Sequence, residues 1–518
     1  MSSSSHKDEK NSDIYDRHVE VAASEVDTGA ELVAGGVGNI DPAEALRIRR
    51  KIDRNILPMM CCLYLVQFMD KTTLGYAAIL GMNQEANLTT DQYNWLSTIF
   101  YLSYLVFEYP QNLALQRFPV GKWMSINIFV WSVALCSHAA CKTFGGLFAV
   151  RFILGICEGS ITAGFLIVSS MFYTRKEQTV RVGYWFLMNG TAQIVLAFVA
   201  YGSLNITKSK LEPWQWLMLI TGLLTLVLSV CFWFFFPDSP TNAWFLTREE
   251  RAIAVQRIKE NQTGVENKHF KRAQLMELLY EPKTWLFFVF SIFDNIPNSL
   301  TNQGTIIIES FGFTTLQVTL LGCVGGVIEI ATIWSGVEIS SRIPNSRAYV
   351  GAIYFLPSLL GVFLVNLLPW SDQVGLLFST WLGTIQITAF VMALGWVSAT
   401  TAGHTKKVTM NAIMLVGYCI GNAVGPFMWE QKYKPRNHVP WIVIGVCYVV
   451  SIILLLIIRV RASGRVKTNV GMPNRSTPRM MMCTLEVKGS DGVIEKVKVD
   501  KEYLDLTDVQ NREFRYVL

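Results

Sequence analysis

Residues Asn55 to Leu80 read NILPMMCCLYLVQFMDKTTLGYAAIL. The run is apolar over bilayer length, yet it carries an acid and a base side by side, Asp70 and Lys71. A hydrocarbon core about 30 Å thick is crossed by about 20 apolar residues in a helix. The run therefore predicts a membrane-spanning helix. Charges inside such a helix are costly in hydrocarbon and belong against a cavity or a partner. Fold and site both begin in this stretch.

Eleven further runs of similar length lie along the chain. The predicted spans are 55–80, 92–115, 123–141, 144–171, 183–204 and 215–236, then 284–308, 314–338, 348–368, 373–398, 408–430 and 439–460. A long polar gap divides them six and six, which predicts an all-α integral membrane protein. The expected organisation is a disordered cytosolic arm (1–54), an N-terminal six-helix half (55–237), a cytosolic central loop (238–283), a C-terminal six-helix half (284–460) and a cytosolic tail (461–518). Within the central loop, Thr247 to Asn261 is a charged helical pattern opened by Thr-Arg-Glu-Glu, a capping-box signature. In the tail, Thr484 to Val499 reads as strand. The arm has no apolar segment that would serve as a signal peptide.

Composition agrees. The chain is 51% hydrophobic and 16% charged, although its ends are polar. The net charge of +6 does not point to nucleic acid, because the cations sit at the ends of apolar runs. Seven of the ten cysteines (61, 62, 157, 231, 323, 419 and 447) lie within apolar runs, where they read as small core residues. No metal-ligand spacing, nucleophile elbow or phosphate loop is present, so neither an enzyme nor a bound metal or cofactor is expected.

Loop charge gives orientation. The loops on the side of the termini carry about 26 Lys and Arg and those on the other side about 6. The bias predicts cytosolic termini. The sequons at Asn87 and Asn205 then face outward as possible glycosylation sites. The loop after span 2 contains Arg117-Phe-Pro-Val-Gly-Lys122, and that after span 8 contains Arg342-Ile-Pro-Asn-Ser-Arg347. The shared R-x-P-x-x-[KR] pattern at equivalent places argues for two related halves, with Arg117, Lys122 and Arg342 as gating or structural residues.

Further charges fall at bilayer depth: Glu108 in span 2, Arg151 and Glu158 in span 4, Asp294 in span 7 and Glu329 in span 8. At about 1.5 Å per residue, Lys71 and Arg151 reach similar depths. Glu158, seven residues after Arg151, lies on the same helix face about 10 Å deeper. Two cations with carboxylates beside and below suit co-transport of an organic anion with protons. Lys71 and Arg151 are expected to hold the substrate, Asp70 and Glu158 to carry protons. The plainer alternative is a static ion pair locking spans 1 and 4. Glu108, near an inner end, reads as packing or gating, and Glu329 equally as an interhelical hydrogen bond. The amides Asn189 and Gln193 in span 5, Asn298 and Asn302 beside Pro297 in span 7, and Asn422 in span 11 are candidate cavity residues, though amides also join helices. His404 lies near the end of a loop and is not expected to relay protons.

Several stretches resemble a known family. They include Arg151-Phe-Ile-Leu-Gly-Ile-Cys-Glu158-Gly, Met188-Asn189-Gly-Thr-Ala-Gln193, Phe236-Pro-Asp-Ser-Pro-Thr-Asn-Ala-Trp-Phe-Leu-Thr247, Gly417-Tyr-Cys-Ile-Gly-Asn422-Ala-Val-Gly-Pro426, and the tail Asp505-Leu-Thr-Asp-Val-Gln-Asn511 with Phe514-Arg-Tyr516. The chain is similar to the fungal, allantoate permease-like branch of the anion:cation symporters of the major facilitator superfamily. That resemblance implies a major facilitator fold of 12 transmembrane helices in two six-helix halves. It also implies substrate-anion binding and proton coupling at Asp70, Lys71, Arg151 and Glu158. Two positions depart from the pattern: Gln116 stands where the superfamily usually has Asp before Arg117, and Lys71 where bacterial relatives often have Arg. The resemblance points to proton-coupled uptake of a small carboxylate or vitamin-like nutrient such as allantoate, nicotinate or pantothenate, by a monomer in the plasma membrane or an endomembrane. Export of a secondary metabolite and nutrient sensing without transport are the alternatives.

Overall fold

The computed structural model describes residues 19–20, 41–206, 209–258, 271–471, 483–488, 494–499 and 507. Twelve membrane elements follow in chain order. The first six are α1 (Pro42–Ala77), α2 (Thr90–Arg117), α3 (Val120–His138), α4 (Phe144–Phe172), α5 (Arg175–Phe186 continued by Met188–Leu204) and α6 (Pro213–Phe235). The second six are α7 (Pro282–Asn295 and Leu300–Ser310), α8 (Thr315–Arg342), α9 (Arg347–Leu367), α10 (Gln373–Gly383 and Ile387–Thr400), α11 (His404–Val424) and α12 (His438–Gly471). Each predicted span falls on one of them.

Local chemistry sets the boundaries. Thr89 opens α2 and Thr314 opens α8 with capping boxes to Gln92 and Gln317, and Pro213 and Pro282 stand at first-turn positions of α6 and α7. Pro297 lacks a backbone donor and splits α7 into two helices joined by a short 3-10 turn. Among the described residues, nine helices are long and apolar enough to cross a membrane. The other three elements are α1 and α2, which carry the polar groups described below, and the broken α7. Large apolar side chains line the outside, among them Phe234 (69% exposed), Leu367 (78%) and Val460 (71%). An apolar outer surface of this extent belongs in hydrocarbon.

Small residues let the helices approach. Gly417 and Gly421 on α11 and Gly425 just after it form one stripe; a Cβ there would lie 2.7, 2.5 and 2.5 Å from the carbonyl oxygens of Phe288 and Ile292 on α7 and of Ile296 at its break. The α5–α8 contact is similar, with a Cβ at Gly190 falling 2.3 Å from Gly326 O. Close packing and hydrogen bonding, not hydrophobicity, hold helices together in lipid. Gly421→Leu is expected to abolish folded protein and Gly421→Ala to lower the melting temperature. Loss of the monodisperse peak in detergent chromatography checks the first, a thermal scan the second.

One boundary is corrected. Residues 42–54, read as part of a disordered arm, are helical and continuous with the first span. Asp41 Oδ1 caps the helix at Ala43 N, 3.1 Å away. The charges that made this stretch look disordered have distant partners. Arg47 and Lys51 meet Glu250 on the surface helix Arg248–Arg257 at 2.9 and 2.6 Å. Asp53 takes both ends of the Arg181 guanidinium, at 3.2 and 2.7 Å. Glu177 receives Arg257 at 2.8 Å and Arg49 at 3.6 Å. The surface helix begins at Thr247 with the capping box expected from sequence.

The two cations beside Glu250 hold its carboxyl down at about 2. Such a depressed acid contributes stability that is complete above its ordinary value near 4.5 and is lost as pH falls toward 2. Glu250→Gln keeps the cap and removes the charge, so it is expected to cost about 1 kcal/mol at neutral pH. It is also expected to flatten the fall in melting temperature between pH 4.5 and 2, which a thermal scan across that range would show.

Three short strands, β1 (Val19–Glu20), β2 (Cys483–Lys488) and β3 (Ile494–Val499), form a sheet in which β2 is parallel to β1 and antiparallel to β3. The stretch read as strand over 484–499 holds two strands, with 489–493 outside the described residues. Residues 1–18, 21–40 and most of the tail after Gly471 lie outside the described residues, including the Asp505 to Tyr516 motif apart from Thr507.

Candidate functional site

Asp70 and Lys71 are neighbours on α1, so their side chains leave the helix about 100° apart. Both are buried. Asp70 turns toward α6 inside the N-terminal half, where its Oδ2 accepts from Thr225 Oγ1 at 2.7 Å and its Oδ1 has no hydrogen-bond partner among the described residues. Lys71 turns toward the interface of the halves. Its Nζ donates to the Tyr418 hydroxyl of α11 and lies 3.9 Å from Glu158 Oε1 on α4. Three rings surround the ammonium: Tyr418, Tyr101 and Phe100, with centroids at 4.9, 5.3 and 5.7 Å. Aromatic faces stabilise a cation that has left water.

Glu158 is also buried. Gln67, one turn before Lys71, donates to its Oε1, while Oε2 has no hydrogen-bond partner among the described residues. The Lys71–Glu158 pair is thus loosely closed, with one carboxylate oxygen free of hydrogen bonds. Arg151, two turns before Glu158, is buried with Nε and Nη2 unpartnered among the described residues. No ion pair joins Asp70 or Lys71 to Arg151 among the described residues; the pair that links α1 to α4 is Lys71 with Glu158.

A small cavity of about 30 Å³ lies at this point, lined by Gln67, Lys71, Asn189, Asn298 and Tyr418 among others. A larger one of about 160 Å³ adjoins it, with Phe68, Asn298 and Ile387 lining both. Its polar wall includes Gln193, Thr301, Gln386 and Glu329. Asn298 donates to Asn422 Oδ1 at 2.7 Å, and Asn422 donates to Tyr418 O at 2.9 Å, so an amide chain runs from the cavity wall to the residue that holds Lys71. Arg151 lines neither cavity.

The halves touch on both sides of these cavities. On the face away from the termini, Asn302 donates to Ser97 Oγ at 2.9 Å, Gln303 to Asn94 Oδ1 at 2.9 Å, and Thr305 to Gly75 O at 2.9 Å. Thr98 reaches Ala423 O at 3.1 Å and Tyr93 reaches Asn302 O at 3.0 Å. Asn302 therefore belongs to this clasp and lines neither cavity. Toward the termini, a Cβ at Gly183 on α5 would lie 2.5 Å from Val337 Cγ2 on α8.

The remaining sequence candidates act within their own halves. Glu108 receives Asn112 Nδ2 at 2.6 Å, one turn along α2. Arg117 is exposed at the end of that helix. Lys122 donates to Trp233 O with its ammonium over the Trp233 ring, and exposed Arg342 pairs with Glu338 on its own helix. Asp294 is buried, with Oδ1 unpartnered among the described residues. Asn87 and Asn205 are exposed on the face away from the termini.

Sequence reasoning missed Gln67, Tyr101, Tyr418 and Thr225. Gln67 stands four residues before Lys71, a spacing that puts both on one face and was available as a signal. It also missed Asp238, whose Oδ1 accepts from Gly121 N at 2.9 Å and Lys122 N at 3.3 Å. Asp238, in the Phe236-Pro-Asp-Ser-Pro stretch, thus supplies an acid to the first turn of α3, where backbone donors are unpaired.

Two six-helix halves meeting around cavities with polar walls suit a membrane transporter, and sequence comparison supplies the family. The Major Facilitator Superfamily model matches residues 60–426, and the chain belongs to that superfamily. The thiamine pathway transporter THI73 of Saccharomyces cerevisiae is 33% identical, with 94% of this chain and 90% of that protein covered. The allantoate permease of the same yeast is 30% identical over 92% of this chain and 88% of its own length. Among solved structures, the proton:xylose symporter XylE superposes with a TM-score of 0.62 at 13% identity, covering 80% of this chain and 96% of that one. That likeness concerns the fold. The protein is a multi-pass membrane transporter of small molecules and not an enzyme.

Proposed function

We propose that the transporter carries a small organic anion inward together with protons. The observation that carries this reading is Lys71: a buried cation at the wall of the inter-half cavity whose one acidic neighbour within 4 Å, among the described residues, is Glu158. A substrate carboxylate reaching Lys71 competes with Glu158 for the same ammonium. Displaced, Glu158 loses the cation that lies 3.9 Å away, and a proton taken up there makes good the lost charge. Anion and proton therefore load together, and neither loads well alone.

Asn189, Asn298 and Gln193 line the cavities and serve substrate binding. Asn422 positions Asn298 and Tyr418, and Asn302 serves the clasp that must open for exchange. Arg151 holds the anion's second position once the halves move, or sets the field at Glu158. Asp70, which lines neither cavity and accepts from Thr225 of α6, is a second proton site read out through the α1–α6 contact. Lys71 offers a point charge, so recognition of the carboxylate at this position is monodentate. The Lys and Arg bias supports cytosolic termini and an outward position for Asn87 and Asn205; residence in the plasma membrane goes with the uptake reading. No observation favours export.

Uptake of allantoate, nicotinate and pantothenate in a permease-deficient fungal strain tests the reading. Concentrative uptake of at least one, dependent on external acid, is expected. Entry of none of them, or entry only of neutral or cationic compounds, would sink it.

A further inference from the structure

A third cavity lies away from the interface of the halves and shares no residue with the two described above. It encloses about 200 Å³ within the C-terminal half. The start of α7, the end of α10 and the inner part of α12 meet there, on the side of the termini. Leu286, Phe287, Trp396 and Ile458 give it apolar walls, with the Phe287 and Trp396 rings edge to face and 5.5 Å apart. Two cations, Lys283 and Arg461, complete the lining, and no acid is in it among the described residues.

Lys283 donates to Thr400 O at 2.9 Å and lies 3.6 Å from Glu281 Oε1. Arg461 is exposed, and no salt bridge reaches it among the described residues. The first turn of α7 adds unpaired backbone N–H groups, which favour negative charge. Close by in sequence, Tyr280, Trp285 and Val460 are exposed. Tyr and Trp gather where hydrocarbon gives way to lipid headgroups. The cavity thus joins apolar walls to positive charge at the level of the headgroups.

We propose that this cavity binds one anionic phospholipid of the leaflet on the side of the termini. Arg461 and Lys283 hold the phosphate, and an acyl chain covers Leu286, Phe287 and Ile458. Arg presents two parallel donors to a phosphate, Lys a point charge. Basic pockets between transmembrane helices suit anionic headgroups, whereas a soluble phosphate would leave the apolar walls bare. The lipid ties α7, α10 and α12 together without touching the substrate cavities.

The test titrates the full-length transporter in detergent with dioleoyl phosphatidylserine or dioleoyl phosphatidylcholine and counts adducts by native mass spectrometry. Glycerophosphoserine, the same headgroup without chains, is the soluble competitor. One tight phosphatidylserine adduct is expected, with none from phosphatidylcholine at the same concentration and no displacement by equimolar glycerophosphoserine. Arg461→Gln weakens the adduct about fivefold, the weight of one basic residue at an anionic surface, and adding Lys283→Gln brings the loss to roughly 20-fold. Lys283→Gln also breaks the Thr400 and Glu281 contacts, so Arg461→Gln alone carries the test where the double variant does not fold. Arg459→Gln is the control: its guanidinium lies over the Tyr349 ring at 4.3 Å, outside the lining, and its loss leaves the adduct unchanged. The proposal is overturned if phosphatidylcholine binds as tightly, if glycerophosphoserine displaces the lipid, or if Arg459→Gln weakens the adduct as much as Arg461→Gln.

Discussion

The Lys71→Ala variant is expected to lose at least about 30-fold in kcat/KM for every carboxylate the protein carries. Removing one partner from a buried charge contact costs about 2–5 kcal/mol, and 2 kcal/mol is already about 30-fold. Two losses combine. The substrate loses its counter-charge, and Glu158 loses the cation that lies 3.9 Å away. Among the described residues, the aromatic cage of Phe100, Tyr101 and Tyr418 holds no cation besides Lys71. Lys71→Arg restores charge in a different shape and is expected to recover part of the activity with a raised KM. The double variant Lys71→Ala, Glu158→Gln separates transport from stability. It removes both charges, so folding recovers while uptake does not, and a thermal scan beside the uptake assay reads the two effects apart.

The second large effect concerns coupling. Glu158→Gln mimics the protonated acid permanently. It is expected to retain exchange of substrate for substrate across the membrane while losing accumulation. A one-unit pH gradient is worth about 1.4 kcal/mol per proton and supports about tenfold accumulation of a monoanion carried with one proton. In Glu158→Gln the accumulation ratio falls toward one, and the acid stimulation of uptake flattens. Asp70→Asn is the companion. Its Thr225 partner, at 2.7 Å, accommodates an amide, so folding is retained and a change in proton stoichiometry is the expected readout. Full proton-driven uptake in both variants would remove these two residues from the coupling assignment.

The fold was legible because hydropathy is: twelve apolar runs with short polar gaps leave few alternatives, and each falls on a membrane element. The charged positions were equally legible, since a buried Asp, Lys, Arg or Glu breaks an apolar run visibly. Rotation was not. Asp70 and Lys71 are adjacent in sequence, yet one meets α6 and the other meets α4 and α11, a difference that depends on how α1 is turned in the bundle. Tyr101 and Tyr418 gave no contrast within their runs because aromatic residues are at home there. Asn302 and Asn298 are four residues apart, yet only Asn298 lines the cavities, because the break at Pro297 and the clasp to Ser97 set their surroundings. The arm was misread at 42–54 because its ion-pair partners come from Glu177, Arg181 and Glu250, more than a hundred residues away.

Two tight glycine contacts bear on how the site works. The α7–α11 stripe fixes a backbone-to-backbone contact within the C-terminal half, and the Gly190–Gly326 crossing makes one between the halves. The first holds Asn298, Asn422 and Tyr418 in fixed relation. The second brings the backbones of the halves together on the side opposite the clasp of Asn302, Gln303 and Thr305.

The most direct measurement is uptake of a carboxylate in the permease-deficient strain across external pH, with and without a protonophore, in wild type and Glu158→Gln side by side. The account predicts uptake that rises with external acidity, collapses with the protonophore, and loses both dependences in Glu158→Gln. Wild-type uptake indifferent to pH and to the protonophore would contradict it.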